Sequence, residues 1–127
     1  MVGAGRSQPR EDAARRILVV DDEALLRICV AEQLRTVGYT VIEAANADEA
    51  LAALCRDDVH LVFSDIQMPG SMNGADLARV IRSRFPMIKV VLTSGVVAAV
   101  NDGEHDGFFP KPYDTATVID HIKALVD

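Results

Sequence analysis

Five short apolar segments, each followed by a stretch of helical period or a turn, constrain this chain more than any other feature. Ile17 to Val20, Thr40 to Ala44, His60 to Ser64, Ile88 to Leu92 and Gly107 to Phe109 are rich in β-branched or aromatic residues. They are too apolar to leave one face in water, which is the pattern of strands buried on both sides. Leu26, Cys29, Val30, Leu34 and Val37 recur at helical spacing and stop at Gly38. Ala45-Asn46-Ala47-Asp48 offers a capped entry to a second helix through Ala50, Leu51, Leu54 and Cys55. Gly74 to Phe85 reads as a third helix that Pro86 helps to end, with Leu77, Val80 and Ile81 inward and Arg79, Arg82 and Arg84 toward solvent. Val96 to Val100 leaves room for a turn or so of a fourth. Asp114 caps a last one carrying Val118, Ile119, Ile122, Leu125 and Val126.

Alternating strands and helices predict an α/β fold with a five-stranded parallel sheet covered on both faces. Helical crossovers between parallel strands bring every carboxyl end to one edge, where open α/β sheets bind their ligands. The polar residues at or just past those ends are Asp21, Asp22, Asp65, Thr93 and Lys111. Residues placed for structure alone would not be expected to select that edge.

With 127 residues, half of them hydrophobic, the chain suits one compact domain. Residues 1–16 carry Gly, Ser, Pro and charges without a period and are expected to form a flexible tail, leaving 17–127 as the domain. A net charge of -6 lacks the basic surface that phosphate backbones require, so direct nucleic-acid binding is not expected. No apolar run is long enough to span a bilayer and the amino terminus has no secretory pattern, which points to the cytoplasm. Cys29 and Cys55 have neither metal-ligand spacing nor a disulfide framework and are expected to pack as small apolar residues.

Carboxylates crowded at strand ends repel one another by about 4 kcal/mol per pair at 4 Å and an effective dielectric near 20. Hard oxygen donors without thiolate or imidazole suit Mg²⁺, and Mn²⁺ is the natural substitute. A lysine and a hydroxyl beside them complete a site for a phosphoryl group. No GxxxxGK[ST] loop is present to hold a nucleotide, so the acceptor is expected to be a carboxylate of the site itself, with Asp65 at its centre.

Asp21-Asp22 after the first strand, Asp65 in SDIQMPG, Thr93 in VVLTSG and Lys111 in KP together resemble the receiver domain of two-component response regulators, over roughly Ile17 to Asp127. The resemblance implies a doubly wound, flavodoxin-like sheet of strand order 2-1-3-4-5. It also implies that Asp65 accepts a phosphoryl group from a phosphohistidine of a sensor histidine kinase or histidine phosphotransfer protein. Asp22, Asp65 and the backbone carbonyl of Gln67 would ligate Mg²⁺, with Asp21 acting through water. Lys111 would pair with the phosphoryl oxygens, Thr93 would move in to bond one, and Phe108 would fill the space vacated. The Lys111-Pro112 peptide would be cis. Gln67 and Gly95 hold rim positions that tune phosphoryl lifetime in the family.

The long Gly70 to Gly74 loop, the shortened fourth helix and the Phe at 108, where a Tyr is common, depart from the family's usual form. The resulting expectation is a stand-alone receiver, with no output domain, that switches contacts with a protein target in a phosphorelay. A receiver-like binding module that works without phosphorylation is the alternative. A phosphatase resembling the haloacid dehalogenases would need an Asp where Gln67 stands. His60, His105 and His121 fit no phosphoacceptor pattern, and Asp102, Glu104 and Asp106 read as a solvated turn. Arg27, Gln33 and Arg35 of the first helix are expected to be exposed and to face a kinase.

Overall fold

A computed structural model describes residues 14–96 and 105–127. Its strands are β1 (Arg16–Val20), β2 (Thr40–Ala44), β3 (Leu61–Asp65), β4 (Lys89–Ser94) and β5 (Gly107–Pro110). They form one sheet of order β2-β1-β3-β4-β5 in which every neighbouring pair is parallel. The helices among the described residues are α1 (Ala24–Thr36), α2 (Ala47–Arg56), α3 (Gly74–Arg84) and α4 (Thr115–Val126). None of them is long and apolar enough to cross a membrane. Of the expected tail, residues 1–13 lie outside the described residues, as does the short helix expected over 96–100 apart from Val96. β1 starts one residue early, with Arg16 in register with Thr40.

Successive strand residues point to opposite faces, so each apolar run feeds two cores at once. Leu18, Val20, Val62, Val90 and Leu92 pack with Ala50, Leu54, Leu77 and Ile81 of α2 and α3. Ile17, Val19, Leu61, Phe63 and Val91 pack with Val30, Leu34, Val118 and Ile122 of α1 and α4. The absence of polar alternation in the strands follows directly from this double burial.

Local chemistry starts the helices that flank the site. Asn46 caps α2 by accepting from Glu49 N at 2.9 Å, and Glu49 Oε1 accepts from Ala45 N at 2.8 Å. Asn73 and Asp76 form a reciprocal capping box at the start of α3. Asp114 occupies the N-cap of α4 as expected, but its carboxylate takes the Thr117 hydroxyl at 2.8 Å instead of a backbone N–H.

Several side-chain placements differ from the sequence-based expectation. Cys29 and Cys55 are both exposed. On α1 the inward stripe is Leu26, Arg27, Val30, Ala31 and Leu34, so Arg27 turns in and Cys29 turns out. Arg27 can sit half-buried because its guanidinium meets fixed acceptors: Glu43 Oε1 of β2 at 3.1 Å and the Asp21 carbonyl at 2.8 Å. Arg35, though exposed, is tied to Glu32, Glu43 and the Val41 carbonyl. On α2 the inward residues are Ala47, Ala50, Ala53 and Leu54, which rotates Cys55 to solvent.

Two histidines serve the frame. His60 Nδ1 accepts from Arg16 N at 3.0 Å, and His121 Nε2 lies 3.0 Å from the Asp106 carbonyl, edge-on to Phe109. Asp102 and Glu104 lie outside the described residues. Asp106 is half-buried, not a solvated turn residue, because its Oδ2 accepts from Val90 N at 2.8 Å and lies 3.4 Å from the Arg82 guanidinium. Arg82 is accordingly half-buried as well, where solvent exposure was expected.

Candidate functional site

Asp65 is the last residue of the central strand β3, in register with Thr93 of β4. Ile66 N donates to the Thr93 carbonyl at 2.9 Å, and Lys111 N donates to the Ser94 carbonyl at 2.8 Å, so the ends of β3, β4 and β5 are tied in series. Asp21 N donates to the Ala44 carbonyl at 3.1 Å and ties the end of β1 to β2 in the same way. Gly74 opens α3 directly over β3, and a methyl group there would overlap the Asp65 carbonyl oxygen. The Lys111-Pro112 peptide is cis, as the resemblance implied.

These ties bring the expected residues together. Carboxylate oxygens of Asp21, Asp22 and Asp65 lie within 4.8 Å of one another. Asp21 is 4% and Asp65 3% exposed, whereas Asp22 faces solvent. Lys111 Nζ reaches into the cluster, 3.2 Å from Asp65 Oδ2 and 3.3 Å from Asp21 Oδ2. Gln67 N donates to Asp65 Oδ1 at 3.2 Å, and Glu23 N donates to Asp21 Oδ1 at 2.9 Å.

Electrostatics set the protonation of the cluster. Burial, and then the charge of Asp21, push the Asp65 carboxyl above the usual carboxylate range, and Lys111 only partly opposes them. Burial likewise raises Asp21. Burial works against the Lys111 ammonium, yet the hydrogen bond to Glu23 and the charges of Asp21 and Asp65 outweigh it and push its pKa up. The lysine is therefore firmly cationic and the two buried acids are reluctant anions. An all-carboxylate donor set of this kind, with surplus negative charge and no sulfur or imidazole in the cluster, fits a hard divalent cation.

The remaining expected residues surround this centre. Thr93 is 1% exposed, and its hydroxyl donates to the Phe109 carbonyl of β5 at 2.6 Å, so it is held on the neighbouring strand. Phe108 is half-buried against the α2 and α3 core layer. Gln67 and Gly95 are exposed on the rim, and a side chain at Gly95 would meet open space.

Four further residues contribute to the site. Ser94, fully buried, donates to Gln67 Oε1 at 2.6 Å and pins that side chain. Glu23 lies 2.8 Å from Lys111 Nζ. Arg27 holds the Asp21 carbonyl, and Tyr113 packs edge-on against Phe63 with ring centroids 5.4 Å apart. Glu23 stood in plain view as the third acid after β1, and Ser94 as the second of two hydroxyls that end β4. Nothing local distinguishes Arg27 from a solvated helix arginine.

Comparison with known proteins places this arrangement. Residues 17–123 match the family model described as the response regulator receiver domain. The chain is 38% identical over 107 residues to the C4-dicarboxylate transport transcriptional regulatory protein DctD of Rhizobium meliloti, covering 80% of this chain and 23% of that protein. It is 35% identical over 117 residues to the DNA-binding transcriptional regulator NtrC of Salmonella typhimurium, covering 87% and 24%. It thus spans about a quarter of the length of these relatives. Among solved structures, the response regulator protein TrrA from Thermotoga maritima, in complex with Mg²⁺-BeF, superposes with a TM-score of 0.80 at 32% identity, covering 87% of this chain and 98% of that one. Together with the single parallel sheet of order 2-1-3-4-5 and the acid, hydroxyl and lysine residues at its carboxyl edge, the match shows that this chain belongs to the response regulator receiver domain family of two-component signalling.

Proposed function

We propose that the unit 17–127 works in the cytoplasm as a switch charged on Asp65 by a phosphohistidine of a sensor histidine kinase or histidine phosphotransfer protein. The observation that carries this reading is the tip of β3: a buried carboxylate 3.2 Å from a lysine ammonium, with two further acids within 4.8 Å. A carboxylate oxygen of Asp65 attacks phosphorus while the phosphorus–nitrogen bond breaks, and the electron pair leaves with the imidazole. Lys111 meets the arriving charge. Asp22, Asp65 and the Gln67 carbonyl would hold Mg²⁺, or Mn²⁺ in its place, with Asp21 acting through water. When bound, the ion neutralises charge on the carboxylates and on the phosphoryl oxygens.

An aspartyl phosphate carries about -1.5 to -2 charges where the carboxylate carried -1, and it sets three acceptor oxygens beyond the tip of β3. Thr93 then exchanges the Phe109 carbonyl for a phosphoryl oxygen, and Phe108 moves into the space it leaves. The altered face of β4 and β5 is read by a protein target, without direct nucleic-acid contact by this unit and without turnover of a separate substrate. Gln67, pinned by Ser94, and Gly95 set how freely water reaches the phosphoryl group.

Exposure to acetyl phosphate or beryllofluoride with Mg²⁺ tests the assignment, read by intact mass for the first and NMR for the second. The wild type should respond and Asp65→Asn should not. An equal response in the two proteins sinks the phosphoacceptor assignment. No response in either would favour a receiver-like module that works without phosphorylation.

A further inference from the structure

Glu23 has no part in the reading above, yet it makes the shortest contact to Lys111. An ammonium has three protons to give, and this one faces three carboxylates: Glu23 Oε1 at 2.8 Å, Asp65 Oδ2 at 3.2 Å and Asp21 Oδ2 at 3.3 Å. Glu23 occupies the N-cap of α1, but its side chain makes no capping bond. The helix start is served by its backbone instead: Arg27 N donates to the Glu23 carbonyl at 3.0 Å, and Glu23 N donates to Asp21 Oδ1 at 2.9 Å. The carboxylate is thus free to act on Lys111. It is 62% exposed, so the pair is weak and open to screening by salt, as suits a contact that must yield.

Resting on Asp65 as the phosphoacceptor, we propose that Glu23 is a positioning residue that competes with the phosphoryl group for Lys111. While Asp65 is free, Glu23 draws the ammonium outward and limits its hold on Asp21 and Asp65. When a phosphoryl group arrives, one of the three protons must turn to it, and the Glu23 carboxylate opposes that exchange by occupying a proton and by repelling the incoming charge.

Two binding steps should then respond to Glu23→Gln in opposite directions. Freed from Glu23, Lys111 settles on Asp21 and Asp65, so Mg²⁺ alone binds more weakly. With Mg²⁺ saturating, beryllofluoride meets an uncommitted ammonium and binds more tightly. Each shift is expected to be about 2- to 5-fold, the range of an exposed ion pair, and to shrink as salt is raised. Glu23→Asp keeps a charge at the amino end of α1 but is one methylene shorter, so it should follow Glu23→Gln in beryllofluoride affinity.

Calorimetric titrations of Mg²⁺, and of beryllofluoride at saturating Mg²⁺, on the full chain and both variants at low and high salt decide the matter, with thermal melts confirming that each is folded. Affinities that fall together or stay unchanged in Glu23→Gln would overturn the competition, as would Glu23→Asp behaving like wild type. Loss of beryllofluoride binding by the wild type, or equal binding by Asp65→Asn, would instead mean that the phosphoacceptor reading itself has failed.

Discussion

Replacing Asp65 by Asn should stabilise the metal-free protein at neutral pH, because the carboxylate is held in a place that disfavours its charge. At an effective dielectric near 20, the Lys111 ammonium at 3.2 Å contributes about 5 kcal/mol in favour of the anion. Asp21, no farther than 4.8 Å, takes back at least about 3.5 kcal/mol. Stripping water from a side chain only 3% exposed costs several kcal/mol more, so the ionised form is a net burden. Asn keeps the shape and removes the charge; its one carbonyl oxygen can take Lys111 or Gln67 N, which meet different oxygens of Asp65, so one of the two contacts is given up against the larger relief of charge. A gain of about 1–2 kcal/mol is expected, worth roughly 5 °C in Tm for a domain of this size.

The pH dependence carries the sign of the same effect. Asp65 and Asp21 both have raised folded-state pKa values, so over the window between about 3.9 and those raised values the folded state binds more protons than the unfolded. Stability therefore falls as pH rises through that window, and the burden is absent below it. The advantage of Asp65→Asn should be full above the raised Asp65 value and vanish toward pH 4. Mg²⁺ should reverse the order: at a hundredfold excess over its Kd it adds about 2.7 kcal/mol to the wild type, and much less to the variant. Thermal melts of both proteins across pH, with and without Mg²⁺, check this. A variant less stable than wild type without metal at pH 7, or an equal rise of both with Mg²⁺, would refute the reasoning.

Two further outcomes follow from the supports of the site. Gly74→Ala forces a methyl against the Asp65 carbonyl, so α3 must shift; a loss of about 1–3 kcal/mol in denaturant unfolding, together with weaker Mg²⁺ binding, is expected, and an unchanged midpoint would show that the contact relaxes freely. Arg27→Gln takes the guanidinium from Glu43 Oε1, leaving Glu43 only its contact with Arg35, and releases the Asp21 carbonyl; urea unfolding should show a loss of about 1–2 kcal/mol, and calorimetry a weaker Mg²⁺ affinity, whereas a surface arginine would cost next to nothing.

Much of this site was open to a reader of the sequence because parallel strands convert chain order into spatial neighbourhood. Once Leu61-Val62-Phe63 and Val90-Val91-Leu92 read as strands buried on both faces, Asp65 and Thr93 had to emerge at one edge, and the register pairs them directly. Helix faces were read less well. The stripe of α1 is misplaced at two sites, because Cys29 is apolar enough to belong inside and Arg27 is charged enough to belong outside. The partners that decide the matter lie on β2 and in the turn after β1. The buried Ser94 and its bond to Gln67, 27 residues away, were hidden for the same reason: a hydroxyl at a strand end carries no sign of what it will meet.

The sequence by itself determined the residue types that meet at the sheet edge and the order in which they arrive, since short apolar runs and helical periods are local properties. Tertiary structure alone decided which donor each group holds. Lys111 divides its protons among Asp21, Glu23 and Asp65, and the Thr93 hydroxyl rests on the Phe109 carbonyl. Those choices depend on differences of a few tenths of an ångström between groups as many as 88 residues apart, where hydrogen bonds and charges change steeply with distance and no sequence pattern carries the information.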